Sequence, residues 1–316
     1  MAIWKLVPAC KDYLWGGRRL VEEYGIKYEG EVCAEAWVLS CHKDGESLIA
    51  DGELQGKTLS EAIQIYGRKA LGKNCEKYDD FPIMIKLIDA KKNLSIQVHP
   101  DDEYALKNEG QYGKTEAWFV LDAKEGSYLY KGFEKDISKE EFEERIKNNT
   151  LTDVVHKVFV KKGDILMITP GTLHAIGEGI LLVEIQQSSN VTYRVYDYGR
   201  LGSDGKPRQL NIEKALDVTC FSRNVDIKGS DDHLCSCKFF TVDSIKTSDG
   251  APYQGNADDS SFVSVIAIDG EGEIVCGAEK FAIKKGNSFF ITAGSGEFIV
   301  SGNLEFILTI ANDSSI

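Results

Sequence analysis

Two stretches of the chain read almost alike: KKGDILMITPG at residues 161–171 and KKGNSFFITAG at residues 284–294. Upstream of them, FVLDAKEGSYLY (119–130) is similar to VIAIDGEGEIVC (265–276). Chance similarity between two amphipathic hairpins is the alternative explanation, but both pairs occur in the same order along the chain. The sequence therefore predicts two copies of one β unit, the first of which contains an insertion.

Outside these stretches the pattern is also mainly that of strands. From Asp80 onwards, short runs of alternating apolar residues are separated by Gly, Asp, Asn and Ser, which is typical of antiparallel sandwiches and barrels. Helical patterns are fewer. Residues 58–71 have helical spacing, Ser138 opens a capping box within the predicted insertion, and Asn211 is placed to cap a short helix.

Composition limits the class of protein. The 316 residues allow two domains, and 42% apolar with 28% charged residues is a globular balance. A formal net charge of −13 disfavours nucleic acid and anionic membrane surfaces as partners, because both bind basic surfaces. We see no apolar run long enough for a signal peptide or a membrane helix. Eight scattered cysteines form no CxxC pair, so we expect a cytoplasmic protein with free thiols.

Polar residues occupy every second position of one predicted strand. In LSIQVH (94–99), Ser95, Gln97 and His99 share one face, whereas the apolar residues between them share the other. A strand with one polar face suits the lining of a barrel pocket, and a solvent-facing strand is the alternative. Pro100 then ends the strand.

Two further stretches contribute candidate ligands. GKTEAWFV (113–120) places Lys114 and Glu116 on one face at the start of a strand, and PGTLHA (170–175) delivers His174 after a Pro-Gly turn. Taken singly, a Lys–Glu pair is usually a surface salt bridge, and a lone histidine is usually a satisfied polar group. Their occurrence on separate strands, each beside other polar residues, favours a common site.

That common site has the composition of a metal centre. His99, Glu116 and His174 would provide two imidazoles and one carboxylate, a set that suits Zn²⁺ or Fe²⁺ and leaves coordination positions open. Gln97 could add a fourth, weaker oxygen ligand. An open position is typical of a catalytic metal rather than of a structural one.

The stretch 181–200 adds charged residues to the candidate site. Arg194 alternates with Thr192 and Tyr196, so these three share a face. Glu184 is flanked by Val183 and Ile185, which predicts that its carboxylate is buried and therefore has a partner or a function.

These strings resemble class I mannose-6-phosphate isomerase in its short bacterial form, a family of the cupin superfamily. The resemblance runs from the first residues to about Val218 and, more loosely, through the second β unit. The large helical insert of other members is missing, which leaves the contacts made by that insert without a counterpart. The matching strings are YLWGG (13–17), AEAW (34–37), SIQVHPDD (95–102), GKTEAWFVLDA (113–123), PGTLHAIGEG (170–179) and VEIQQSSNVTYRVYDYGR (183–200).

The resemblance implies a fold and a domain organisation. We expect a mainly β protein with two cupin-like (jelly-roll) β-barrel units and a few short helices. Residues 1–232 would form the catalytic cupin domain, with an N-terminal extension and a short helical insert at about 136–150. Residues 233–316 would form a C-terminal, metal-free cupin-like β domain.

The resemblance also implies an activity: interconversion of mannose 6-phosphate and fructose 6-phosphate, with one Zn²⁺ per chain. Transferred motif by motif, His99, Glu116 and His174 would bind the zinc, with Gln97 as a further ligand in longer relatives. Arg194 matches the catalytic arginine of the family. The residues matching substrate, phosphate or pocket positions are Ser95, Lys114, Glu35 and Glu184.

Isomerisation of an aldose to a ketose passes through an enediolate and needs a general base. Glu184 and a water at the metal are both candidates for this base at the level of sequence. Two other functions use the same residues: an Fe²⁺-dependent cupin oxidoreductase and a non-catalytic sugar-phosphate-binding cupin. The sequence leaves the oligomeric state open between monomer and homodimer.

The duplication predicts that only one unit binds metal. Position 263, the counterpart of Glu116, is Val263, and position 297, the counterpart of His174, is Glu297. Neither counterpart retains the residue type of the candidate ligand. We therefore expect one metal per chain.

Overall fold

The computed structural model describes residues 2–202, 205–223 and 233–313. Strands predominate in these residues and the helices are short, so the predicted mainly β class is confirmed. The strands are β1 Ile3–Val7, β2 Ala9–Lys11, β3 Glu35–Leu39, β4 Leu48–Ile49, β5 Ile83–Ala90, β6 Ile96–Val98, β7 Glu116–Ala123, β8 Tyr128–Phe133, β9 Val155–Phe159, β10 Ile165–Ile168, β11 His174–Ala175, β12 Ile180–Gln187, β13 Tyr193–Tyr196, β14 Cys235–Ser236, β15 Phe240–Thr247, β16 Tyr253–Ala257, β17 Val263–Cys276, β18 Glu279–Lys284, β19 Ser288–Ile291 and β20 Gly296–Ala311. The helices are α1 Arg19–Glu22, α2 Leu59–Tyr66, α3 Asp102–Glu109, α4 Lys139–Lys147 and α5 Ile212–Val218, with 3₁₀ turns at Arg68–Leu71, Lys73–Cys75 and Leu151–Asp153.

The ends of the helices follow from local hydrogen bonds. Ser138 caps α4 by accepting a hydrogen bond from the Glu141 amide, which is one half of the capping box predicted there. The predicted helix 58–71 is shorter than expected, because α2 ends at Gly67 and continues only as a 3₁₀ turn. Asn211 precedes α5 but does not cap it with its side chain, which accepts a hydrogen bond from the Arg194 amide instead. No helix in the described ranges is long and apolar enough to cross a membrane.

Contacts divide the chain into two compact units. Unit 1 contains residues 1–11, 18–87 and 229–316, and unit 2 contains residues 12–17 and 88–228. This grouping differs from the predicted domains, because most residues before position 88 belong with the C-terminal part. The division of the chain into domains at residue 232 stays a prediction.

Unit 1 is built on an extensive antiparallel sheet. Its strands follow the order β14–β15–β20–β17–β19–β1–β4, while β16 pairs with β20 and β18 pairs with β17. The N-terminal strand β1 therefore lies in the sheet between β4 and β19, and the long strands of this sheet come from the C-terminal part of the chain. Alternate side chains of β17, β19 and β20 form an apolar core that includes Val263, Val265, Phe289, Phe306 and Leu308.

Unit 2 contains a five-stranded sheet in the order β13–β6–β11–β8–β9 and a second ladder, β10–β7–β12, whose neighbours are antiparallel. One face of the five-stranded sheet packs on an apolar core to which Ile96, Val98, Leu173, Ala175 and Val195 belong. Since side chains alternate along a strand, the residues between these core residues project from the opposite face.

The repeated stretches occupy equivalent places in the two units. In unit 2, β10 pairs with β7 so that Ile168 lies opposite Glu116. In unit 1, β19 pairs with β17 so that Ile291 lies opposite Val263. The other three residue pairs of the two ladders match by the same sequence offsets, and β7 and β17 each contain a bulge at the matching position. The predicted duplication of a β unit is confirmed by this identity of register.

Candidate metal centre

Three predicted site residues lie side by side across the five-stranded sheet of unit 2. Gln97 of β6 is directly opposite His174 of β11 on one side and directly opposite Arg194 of β13 on the other. Opposed residues project to the same face of a sheet. Ile96 and Val98, which flank Gln97, belong to the apolar core beneath. The predicted polar face of this strand is therefore confirmed.

Glu116, on β7 in the second ladder of unit 2, lies beside the two histidines. Its Oε1 lies 3.3 Å from His174 Nε2, and its Oε2 lies 3.6 Å from His99 Nε2. All three side chains are buried, with at most 1% of each residue exposed. Their ligand atoms lie within 4.8 Å of one another, and no other such group of three His, Cys, Asp or Glu side chains occurs in the described part of the chain. The structure thus brings the predicted ligands together.

The protonation state of the two imidazoles fits a bound cation. Nδ1 of His99 lies 2.8 Å from the carbonyl oxygen of Val191, and Nδ1 of His174 lies 2.8 Å from that of Thr172. A carbonyl can only accept a hydrogen bond, so each Nδ1 must carry the hydrogen, and a neutral ring then has its lone pair on Nε2. Both lone pairs face the Glu116 carboxylate, an arrangement that a positive ion between them stabilises.

Burial keeps one of these rings neutral. The pKa of His174 is lowered from 6.5 to about 4, chiefly because its buried ring is removed from water. A neutral imidazole is the form that binds a metal. The donor set, two imidazole nitrogens and a carboxylate, therefore fits a divalent ion such as Zn²⁺ or Fe²⁺ in both composition and protonation.

The Pro-Gly turn positions both histidines. The amide of Gly171 donates a hydrogen bond to the carbonyl oxygen of His99 at 2.9 Å, so the turn before His174 is fastened to the residue that follows β6. Gly171 has φ +80°, and an added Cβ would lie 2.9 Å from the carbonyl oxygen of Val218. Only glycine fits this position without strain.

Gln97 reaches the same group of ligands. Its carboxamide nitrogen lies 3.4 Å from His174 Nε2. The carboxamide is therefore within reach of an ion held by His99, Glu116 and His174.

Lys114 also lies at the ligands. Its ammonium is 3.0 Å from Glu116 Oε2, and both residues are buried. The prediction that the two side chains share a face is confirmed, and the alternative of a surface salt bridge is wrong, because the pair is removed from solvent.

Arg194 and Ser95 form a second polar group on this face. Arg194 donates from Nε to Ser95 Oγ at 3.1 Å and from a terminal nitrogen to the carbonyl oxygen of Gln209 at 3.1 Å. The pKa of Arg194 is lowered, first by burial and then by the nearby Arg208 guanidinium. The guanidinium nevertheless stays charged, because an arginine begins from a very high pKa.

Glu184 is buried, as predicted, and belongs to the ladder of Glu116. It accepts a hydrogen bond from the indole nitrogen of Trp118 at 3.0 Å. The Trp118 ring in turn packs edge-on against His174, with 5.4 Å between ring centroids. Trp118 was not among the predicted site residues, although its alternation with Glu116 in the same strand could have revealed it.

Glu35 belongs to unit 1, whereas the other predicted site residues belong to unit 2. It is buried, accepts a hydrogen bond from the Trp37 indole at 2.7 Å, and lies 3.6 Å from the ammonium of Lys86. The structure thus gives Glu35 a charged partner within its own unit, and its predicted contact with substrate stays a prediction.

Comparison with known proteins shows to which family the chain is similar. The family description "Phosphomannose isomerase type I, catalytic domain" matches residues 3–128, and "Mannose-6-phosphate isomerase, cupin domain" matches residues 230–311. The mannose-6-phosphate isomerase of Streptococcus mutans serotype c is 38% identical over 288 residues, which are 87% of this chain and 87% of that protein. The chain belongs to the type I phosphomannose isomerase family. The resemblance noted in the sequence is thereby confirmed.

Solved structures agree with membership of the type I phosphomannose isomerase family. The crystal structure of the mannose 6-phosphate isomerase from Bacillus subtilis superposes with a TM-score of 0.88 at 32% identity, covering 98% of this chain and 99% of that one. A zinc-bound mannose 6-phosphate isomerase superposes with a TM-score of 0.76 at 16% identity, covering 99% of this chain and all of that one. The second likeness concerns the fold alone.

We predict that His99→Ala and His174→Ala each lose bound divalent metal, because a site with three strong ligands cannot spare an imidazole. The measurement is elemental analysis of purified protein after dialysis. His156→Ala is the matched control, since His156 is a partly exposed residue of β9 that pairs with Glu134 at 3.0 Å. Full metal occupancy in either ligand variant would contradict the assignment.

We also predict one metal ion per chain. In unit 1, Val263 stands at the position of Glu116 in the matching ladder, and its side chain belongs to an apolar core. A position lined by aliphatic side chains offers no ligand to a divalent ion. Elemental analysis of metal-replete protein should give a ratio near one; a ratio near two that survives dialysis would show that this interpretation of unit 1 is wrong.

Proposed function

We propose that this chain interconverts mannose 6-phosphate and fructose 6-phosphate and that His99, Glu116 and His174 hold one Zn²⁺ for this reaction. The relatives named above carry that activity in their names, and zinc is bound in a solved structure of the same fold. Gln97, within reach of the same ion, is assigned as a further ligand.

One observation supports this function most strongly: a buried carboxylate faces the lone pairs of two imidazoles in a chain of this family. The Lys114 ammonium pairs with one oxygen of this carboxylate, but the two imidazole lone pairs offer acceptors only, and a divalent cation satisfies them together with the carboxylate. An ion held by His99, Glu116 and His174 would supply electrophilic stabilisation of the negative charge that develops on the sugar oxygens during isomerisation.

We assign the remaining charged residues to the substrate. Arg194 is charged, partly buried and on the same face as Gln97 and His174, so it can neutralise the phosphate or the developing enediolate. Ser95, which accepts its hydrogen bond from Arg194, is assigned to the same contact. Lys114 is assigned to the reacting oxygens, because its ammonium lies at Glu116.

Proton transfer is assigned to Glu184. In the forward reaction a base removes the proton from C2 of the aldose, and a proton is returned to C1 of the enediolate, while the hydroxyl proton on O2 passes to O1. The reaction needs no external oxidant or reductant. The bond from the Trp118 indole fixes the orientation of the Glu184 carboxylate, which lies on the same face of the ladder as Glu116.

Several coarser expectations accompany this proposal. Glu35 is retained as a substrate-contact candidate from the family resemblance. A net charge of −13 supports the absence of a nucleic-acid partner, and a cytoplasmic location accords with a sugar-phosphate substrate. Monomer and homodimer are both compatible with the proposal.

We expect purified, zinc-loaded protein to convert mannose 6-phosphate in a coupled assay, and we expect chelator treatment to abolish the activity until zinc is restored. Oxygen uptake with Fe²⁺-loaded protein is the control for the oxidoreductase alternative. Tight binding of the sugar phosphate without turnover would contradict the proposal and would favour a binding protein.

We predict that Arg194→Ala retains its zinc and its fold but loses kcat by about 100-fold or more, as the removal of a preorganised charge near a transition state usually does. Arg145→Ala is the control, because Arg145 lies on α4 and pairs with Glu141 of the same helix. The measurement is kcat beside metal content, and wild-type kcat in Arg194→Ala would leave Arg194 with a structural role only.

A further inference from the structure

Gln186 lies at the metal centre but has no part in the assignments above. It is directly opposite Glu116 in the ladder of β7 and β12, so the two side chains project to the same face. Its neighbour on that face along β12 is Glu184. Gln186 is completely buried, with 0% of the residue exposed.

The carboxamide of Gln186 is locked in one orientation. Its nitrogen donates to the carbonyl oxygens of Gln187 at 2.8 Å and Ser189 at 2.7 Å, which uses both of its hydrogens. Half a turn of the amide would bring its oxygen against these two carbonyl oxygens, so the nitrogen and oxygen cannot exchange places. The end that stays available is the carbonyl oxygen.

That oxygen is an unused acceptor. Gln186 Oε1 is buried and has no hydrogen-bond partner in the described residues. A buried polar atom without a partner costs free energy, so each such atom needs an explanation. A hydrogen-bond donor on a bound ligand or water would satisfy this oxygen, and the fixed orientation of the carboxamide is consistent with that explanation.

The duplicated ladder shows that the fold does not need a polar residue here. In unit 1, Ile310 lies opposite Val263, just as Gln186 lies opposite Glu116 in unit 2. Val263 belongs to the apolar core of unit 1, and Ile310 packs against that core. In unit 1, which lacks the ligand set, the positions equivalent to Glu116 and Gln186 are thus both occupied by apolar residues.

We propose that Gln186 is a ligand-binding residue of this site, whose carbonyl oxygen accepts a hydrogen bond from an O–H group. The donor is a hydroxyl of the sugar phosphate or a water molecule at the metal, and the inference rests on the proposed function. A neutral carboxamide suits this task because it accepts a hydrogen bond without adding negative charge beside Glu116 and Glu184, where an anionic substrate must bind.

The rival explanation is that Gln186 only anchors the segment that follows β12. Its nitrogen holds the Ser189 carbonyl, and the Ser189 hydroxyl accepts a hydrogen bond from the amide of Val191, whose carbonyl orients His99. Two substitutions separate the explanations. Gln186→Met matches the length of glutamine but neither donates nor accepts. Ser189→Ala removes the hydroxyl that holds the Val191 amide, so it breaks the anchoring chain but leaves the Gln186 carboxamide and its carbonyl oxygen in place.

The experiment measures binding, so it does not depend on turnover. The first measurement is the Kd of an inert hexitol 6-phosphate for zinc-saturated protein by calorimetry. The second is the Kd of Zn²⁺ by competition with a chelator. We expect Gln186→Met to weaken one of these affinities by about tenfold, the usual effect of one lost hydrogen bond, and Ser189→Ala to weaken it clearly less.

The outcomes show which group donates the hydrogen bond. They also separate a failure of the inference about Gln186 from a failure of the proposed function. Weaker binding of the hexitol phosphate identifies a sugar hydroxyl as the donor, and weaker binding of zinc identifies a water at the metal. Equal losses in both variants would establish the anchoring role instead and overturn the inference, as would wild-type affinities in Gln186→Met. If wild-type protein isomerises mannose 6-phosphate, such a failure concerns Gln186 alone; if it neither binds the hexitol phosphate nor turns over, both proposals fail.

Discussion

The hydrogen bonds from two histidine Nδ1 atoms to backbone carbonyls set the chemistry of the site. The Val191 and Thr172 carbonyls hold the hydrogens of His99 and His174 on the side away from Glu116. The lone pairs of both rings therefore converge on one carboxylate. The loops that carry these two carbonyls therefore matter to metal binding as much as the ligands do, because a carbonyl that moved would no longer hold its imidazole ring in this orientation. The hydrogen bond from the Gly171 amide to the His99 carbonyl oxygen links the loop that orients His174 to the other histidine.

The same ladder of strands serves opposite purposes in the two units. Glu116 and Trp118 in unit 2 correspond in register to Val263 and Val265 in unit 1, and both valines belong to the core there. Burying each valine contributes about 1.5–3 kcal/mol, whereas a buried carboxylate lowers stability unless it is paired. Unit 2 therefore forgoes apolar packing at Glu116, where it depends on ion pairs and a metal, whereas the buried Trp118 ring keeps apolar packing and adds a hydrogen bond to Glu184. Unit 1, without ligands, can pack the equivalent space with aliphatic side chains.

The parts of the site that the sequence predicts are those with a local period. Alternation in LSIQVH separates Gln97 from the core residues Ile96 and Val98, and this needs only the geometry of one strand. The Val191 and Thr172 carbonyls could not be predicted, because every residue has a carbonyl and its direction depends on the folded loop. Long-range pairing likewise decides which residue lies opposite Glu116, so Gln186 was not among the predicted site residues.

Predictions failed where a local motif met a competing contact. Asn211 has the side chain of a helix cap, but the ladder between β13 and β6 places the Arg194 amide within its reach, and Asn211 accepts from that amide instead. The helix predicted over 58–71 ends at Gly67, whose φ of +95° is a conformation that glycine adopts readily. The grouping of residues 18–87 with the C-terminal part depends on contacts such as the hydrogen bonds from the Lys73 and Asn74 amides to the carbonyl oxygens of Asp259 and Ser260, which no local pattern encodes.

The positive charge of the metal would also help the proposed site to attract an anionic substrate. The chain carries a net charge of −13, so an anionic substrate must be attracted by a local field. Lys114 and Arg194 provide two positive charges in unit 2, but Glu116 and Glu184 provide two negative ones if both are ionised, and these four residues then sum to zero. A divalent cation brings the sum to +2, which matches a phosphate of about −2 charge. The ion that polarises the reacting end of the sugar would thus also supply the charge that the protein side chains do not, and a metal-free site would be weakened in both respects.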